Sequence, residues 1–132
     1  MIGIVVVGHG QVAVELVKAA QGIVGDIPRI AAVSVGWSDD MADSITAVRQ
    51  ALGEVGGAPA LVLTDMFGGT PTNVSLPLLA EGVEIVTGVN LPMLIKLISL
   101  REGELLHVAR VVRDQGKGAI YVASELLERK PS

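Results

Sequence analysis

The sequence predicts an α/β domain built on a doubly wound, mainly parallel sheet. Three observations carry that prediction. Runs of Val, Ile and Leu suited to buried strands alternate with segments of helical periodicity. Loops bearing glycine or proline follow the strands and open the next helix. Half of the 132 residues are hydrophobic, yet there is one Trp, one Tyr and one Phe, the aliphatic composition of a sheet covered on both faces.

The first strand runs from Ile2 to Val7, where every residue but Gly3 is branched and apolar. It leads into Gly8-His9-Gly10, whose glycines turn the backbone sharply and leave the imidazole uncrowded. Gln11–Gln21 reads as a helix, Gly25-Asp26-Ile27-Pro28 as a turn, and Arg29–Val35 as a second strand. Gly36-Trp37-Ser38 follows at the same end of the sheet as His9 if the two strands are parallel. Ser38, Asp39 or Asp40 caps the next helix, which carries Met41, Ile45, Val48 and Leu52 at helical spacing and is closed by Gly53–Pro59.

The third strand, Ala60–Thr64, delivers Asp65. In Asp65-Met66-Phe67-Gly68-Gly69-Thr70-Pro71 two glycines make a tight loop, Thr70 is a good N-cap and Pro71 belongs at the first helical position. A helix from Pro71 to about Ala80 therefore starts beside Asp65. Glu84–Thr87 is a fourth strand. Gly88-Val89-Asn90-Leu91-Pro92 repeats the device, with Asn90 as cap of a helix reaching about Leu100. A further helix, Glu104 to about Lys117, precedes a last short strand, Ala119–Ser124, whose place in the sheet is left open.

Length and composition bound the rest. The chain reads as one domain, 1–132. Its net charge of −4, without a long basic run, argues against nucleic acid or an anionic membrane as partner. Absence of cysteine removes disulfides, thiol catalysis and thiolate metal sites, and suits a reducing cytoplasm. The apolar start lacks the basic region and cleavage site of a signal peptide, and no run reaches the ~18 apolar residues a spanning helix needs. A cytoplasmic protein with no membrane insertion is expected.

In a doubly wound sheet the loops after the strands gather on one edge, so His9, Trp37, Asp65 with Gly68–Thr70, and Asn90 should meet there. If Asp65 accepts from one ring nitrogen of His9, the other keeps its lone pair outward as a nucleophile or base. Backbone N–H groups of Gly69 and Thr70, the Thr70 hydroxyl and the helix dipole could hold a phosphoryl group beside it. That combination best supports reversible phosphoryl transfer onto histidine, with neither metal nor cofactor.

Other readings share these residues. Gly8-His9-Gly10-Gln11-Val12-Ala13 fits a dinucleotide loop, but the second strand ends in Ser34-Val35-Gly36 without an acidic residue for a ribose. An aspartyl-phosphate receiver built on Asp65 would need acidic residues after the first strand, where Gly8-His9-Gly10 stands. Hydrolysis with His9 as base lacks a nucleophile elbow. Structural readings also exist: a plain turn at Asp65–Gly69, a filler role for Trp37, capping for Asn90, and packing or surface for His107.

The opening strand with Gly8-His9-Gly10, the segment Leu63-Thr64-Asp65-Met66-Phe67-Gly68-Gly69-Thr70-Pro71, and Gly88-Val89-Asn90-Leu91-Pro92-Met93-Leu94 together resemble the IIA domain of the mannose family of the phosphoenolpyruvate-dependent sugar phosphotransferase system. The resemblance implies that His9 accepts a phosphoryl group from the carrier protein HPr and passes it to a IIB component. Asp65 would orient His9, with Gly10, Gly68, Gly69 and Thr70 as candidate phosphate-holding positions and Trp37, Phe67 and Asn90 as candidates for partner recognition. It also implies a homodimer in which Ala119–Ser124 is an antiparallel edge strand exchanged between subunits. Two alternatives accompany it: a regulatory IIA protein whose His9 phosphorylation state controls binding to a regulator, and, more remotely, a phosphodonor subunit of dihydroxyacetone kinase. Trp37 stands where relatives often have proline and glycine, which leaves partner choice open.

Overall fold

A computed structural model describes residues 1–38 and 40–128 of the chain. Four parallel strands form one sheet in the order β2-β1-β3-β4: β1 (Gly3–His9), β2 (Ile30–Val35), β3 (Ala60–Thr64) and β4 (Val83–Thr87). Alternation along the central strands divides the core. Ile4 and Val6 of β1 and Leu61 and Leu63 of β3 face one way, onto α1 (Val12–Val24), α4 (Leu91–Ile98) and α5 (Leu105–Gly118). Val5, Val7, Ala60 and Val62 face the other way, onto α2 (Met41–Glu54) and α3 (Thr70–Ser75). Each central strand is thus apolar on both sides, which is why it reads as a continuous branched run.

The chain leaves β1 for β2 on one side and reaches β3 and β4 on the other. The order therefore reverses between β1 and β3, and the loops after these two strands diverge to open a crevice at the carboxyl edge. His9 ends β1 and Asp65 follows β3, so both lie at this switch point.

The expected helix from Pro71 to about Ala80 is divided. α3 stops at Ser75, and Leu76–Glu81 continues as a 3-10 turn. Pro77 has no N–H to donate back to Asn73, so the α-helical ladder cannot run through it. The fifth strand expected over Ala119–Ser124 is absent among the described residues. Ala119 ends α5, and Ala123–Glu128 forms a sixth helix, α6, with no buried residue. A strand exists only with a neighbour to share hydrogen bonds, and within this chain residues 119–122 meet none. Asp39, one of the expected caps, lies outside the described residues; Asp40 caps α2 by accepting from the Ala42 amide at 3.1 Å.

The aliphatic composition sorts the aromatics outward. Trp37, Phe67 and Tyr121 are all exposed. No described helix is long and apolar enough to cross a membrane.

At the opposite, amino-terminal edge of the sheet, Arg101 closes the fold. The residue is 5% exposed, and its guanidinium donates to the carbonyls of Ile2 at 2.9 Å, Arg29 at 2.9 Å, and Pro28. Its own carbonyl accepts from Ile2 N at 2.8 Å. One side chain thereby ties the first strand and the entry to the second onto the α4–α5 connection. We expect Arg101→Met, which keeps length but removes the guanidinium donors from the Ile2 and Pro28 carbonyls while Arg29 keeps its bond from the Ile4 amide, to cost about 2–4 kcal/mol in urea unfolding while leaving reactions at the carboxyl edge unchanged.

Candidate active site

His9 is placed by three local features. In the β1–β2 ladder it stands opposite Val35, and the Gly10 amide donates to the Val35 carbonyl at 3.0 Å, so the turn is pinned to the end of β2. Gly10 adopts φ +53, which glycine accommodates without strain. Gly8 is crowded: a Cβ there would lie 3.2 Å from the Ala13 amide nitrogen and 3.5 Å from Asp65 Oδ2. The pattern Gly8-His9-Gly10 therefore reflects space before the histidine and backbone conformation after it.

Asp65 meets His9 twice through a single oxygen. Oδ2 accepts the His9 backbone N–H at 2.8 Å and lies 2.7 Å from ring Nδ1. Oδ1 is buried without a hydrogen-bond partner among the described residues. Burial pushes the Asp65 carboxyl upward, but the amide and ring of His9, with a smaller contribution from the Met66 backbone, outweigh it and hold the carboxyl below the ordinary aspartate range. An ionised carboxylate only accepts, so Nδ1 carries the proton and Nε2 keeps its lone pair.

Nε2 faces the Asp65–Thr70 loop. A Cβ on Gly69 would fall 2.8 Å from His9 Cε1 and 3.3 Å from Nε2, so glycine is needed there for space; its φ of −91 would suit any residue. Gly68, at φ +85, is needed for conformation instead. Gly69, not Thr70, is the N-cap of α3, and Thr70 is its first helical residue. The Gly69 and Thr70 amides and the Thr70 hydroxyl make no hydrogen bond among the described residues. The Gly10 N–H, by contrast, is given to the Val35 carbonyl.

The loop is braced from below by two residues that local patterning does not mark. Thr72 donates to the Met66 carbonyl at 2.7 Å, and Thr64 and Thr72 hydroxyls are 2.6 Å apart in a buried setting. With the Thr72 proton spent on Met66, Thr64 donates to Thr72. Each threonine reads alone as a strand or helix residue; their pairing across eight positions appears only in three dimensions.

Trp37 reaches the site. Its indole stacks on the His9 imidazole, with ring centroids 5.1 Å apart and planes inclined by 18°. Phe67 is exposed on the Asp65–Thr70 loop. Asn90 is committed to the scaffold: its Oδ1 accepts from the Met93 amide at 3.1 Å as cap of α4, and its Nδ2 donates to the Gly116 carbonyl at 3.2 Å. His107 lies in the first turn of α5, with its amide donated to the Glu104 carboxylate.

A carboxylate-oriented imidazole on an accessible sheet edge, beside a glycine loop with free amides, can take up and release a small anionic group. Comparison with known proteins gives the chain its family. The family model described as PTS system fructose IIA component matches residues 3–112. The fructose-specific EIIA component of the phosphotransferase system from Bacillus subtilis (strain 168) is 31% identical, across 98% of this chain and 91% of that protein. Among solved structures, the EIIA component from Streptococcus agalactiae superposes with a TM-score of 0.87 at 25% identity, covering 95% of this chain and 99% of that one. The mannose/sorbose-specific IIA subunit from Enterococcus faecalis gives 0.84 at 28% identity, covering 92% and 93%. Matched over most of its length by the family model, the chain belongs to the mannose-type IIA family of the phosphotransferase system.

Proposed function

We propose that this protein is a cytoplasmic phosphocarrier that accepts a phosphoryl group from phospho-HPr on His9 and passes it to a IIB component for sugar uptake. The observation that carries the reading is the 2.7 Å contact between Nδ1 and Asp65 Oδ2, which leaves Nε2 as the nucleophile. The Nε2 lone pair attacks the phosphorus of the donor's phosphohistidine. The donor N–P bond breaks and its electron pair returns to the donor ring. The proton on Nδ1 stays in place, so the positive charge gained by the His9 ring is met by the Asp65 carboxylate. The Gly69 and Thr70 amides and the Thr70 hydroxyl are available to the phosphoryl oxygens. Transfer to IIB is the same step in reverse direction, with His9 as leaving group.

The protein would work as a homodimer. β4 is an edge strand, and a groove of about 370 Å³ runs along it, lined by Phe67, Leu76, Leu79, Ile85 and Leu106. Ile120, Tyr121 and Val122 expose apolar side chains with nothing of their own chain to cover them. An open edge and an unpartnered apolar segment are complementary liabilities, and pairing residues 119–124 antiparallel to the other subunit's edge would remove both.

Four outcomes are expected. Phosphoenolpyruvate, enzyme I and HPr should together place one acid-labile, base-stable phosphate on the wild type and none on His9→Ala; label surviving in the variant would refute the assignment. Asp65→Asn should slow transfer on the order of 10- to 100-fold by releasing the ring tautomer. The same variant should lose acid sensitivity. Because the folded-state value of Asp65 is lowered, its contribution is complete above about pH 4 and disappears as pH falls through that lowered value, so the stability gap between wild type and variant should close on acidification. Finally, the full chain should sediment as a dimer and a chain ending at Gly118 as a monomer; a monomeric full chain would exclude the exchange.

A further inference from the structure

Trp37 is 84% exposed, so burial does not account for its position. What the structure gives it is a partner: the imidazole of His9, near-parallel at 5.1 Å, within the range of offset aromatic stacking. The loop that presents it is held at both ends. The β1–β2 ladder pairs His9 with Val35, and the Gly10 amide binds the Val35 carbonyl, which brings the following residues over the His9 turn. At the far end Asp40 caps α2.

Contacts on His9 are otherwise incomplete. The bond from Nδ1 to Asp65 is a pivot: it selects the tautomer but leaves the ring able to tilt about that single contact. Gly69 leaves room beside Cε1 and Nε2 and supplies no side chain to lean on. An indole lying along one face opposes the tilt. It also favours positive charge in the ring it covers, because an aromatic face attracts a cation, and the His9 ring gains such charge when Nε2 is phosphorylated.

We propose that Trp37 is a positioning residue for His9, stacking on the imidazole to hold Nε2 in line for phosphoryl transfer, in addition to any part it takes in contacting a protein partner. The proposal rests on the reading of His9 as phosphoryl acceptor, and its test separates the two.

Phosphoramidate is the suitable donor, since it has no protein surface to dock. Its N–P bond breaks as Nε2–P forms, and ammonia departs with a proton. His9 labelling by phosphoramidate is measured for wild type, Trp37→Ala and Trp37→Phe, alongside 15N spectra of the imidazole. Because Trp37 lies on the surface, both variants should fold, which circular dichroism checks. Expected are a labelling rate about fivefold lower in Trp37→Ala, recovery to within about twofold in Trp37→Phe, and imidazole 15N resonances in Trp37→Ala that keep the wild-type tautomer but are broadened by motion of the ring. A Trp37→Ala rate equal to wild type overturns the proposal, as does a defect confined to the KM for phospho-HPr, which would make Trp37 a docking residue only. If wild type takes no label on His9 from either phosphoramidate or phospho-HPr, the phosphocarrier reading fails, and the 15N comparison alone then decides whether Trp37 orders the ring: an unchanged spectrum overturns the proposal and a broadened one supports it.

Discussion

One carboxylate oxygen holds the carboxyl edge of this fold together. Asp65 Oδ2 accepts both the backbone N–H and the ring Nδ1 of His9, so the end of β3 is tied to the end of β1 where the two strands' exit loops part. The backbone bond fixes where the histidine begins, and the ring bond selects which ring nitrogen faces the carboxylate. Everything else at the site adjusts to this pair: Gly69 by clearing space, Trp37 by covering a face, and the Thr64–Thr72–Met66 chain by bracing the loop that carries Asp65.

The parts of this arrangement that sequence reading recovers are those encoded locally. Ala60–Thr64 is found as read, and His9 and Asp65 are found at strand ends, because branched runs and the glycines that interrupt them are signals a few residues long. The parts that escape depend on distant partners. Stacking of Trp37 on His9 follows from which residue of β1 faces Val35, a register that no local pattern specifies. Arg101 reads as one charge near a helix end; its role comes from carbonyls more than seventy positions earlier. The expected strand at Ala119–Ser124 shows the same limit in reverse, since its branched and aromatic residues suit a strand but β structure needs a neighbour. Gly10 divides the same way: its conformation is locally encoded, whereas the acceptor of its N–H belongs to β2.

Reactivity and cohesion are also kept apart in space. The carboxyl edge presents loops, free amides and a half-exposed histidine, while the amino edge is closed by a buried guanidinium holding three carbonyls. A parallel sheet enforces this division, because every strand delivers its loop to the same edge and receives its chain from the other. The site can therefore tolerate unpaired groups that would be costly inside the core, where both faces of β1 and β3 are filled by aliphatic side chains.

The outward sorting of Trp37, Phe67 and Tyr121 has a consequence for how such a protein can diverge. Its interior is written almost wholly in Val, Leu, Ile and Ala, and its aromatic residues stand on the loops and the carboxy-terminal segment. Cohesion and contact with other molecules thus draw on separate classes of side chain. An aromatic can be gained, lost or moved along a loop without opening a hole in the interior, so a lineage can change the company it keeps while inheriting the same framework unaltered.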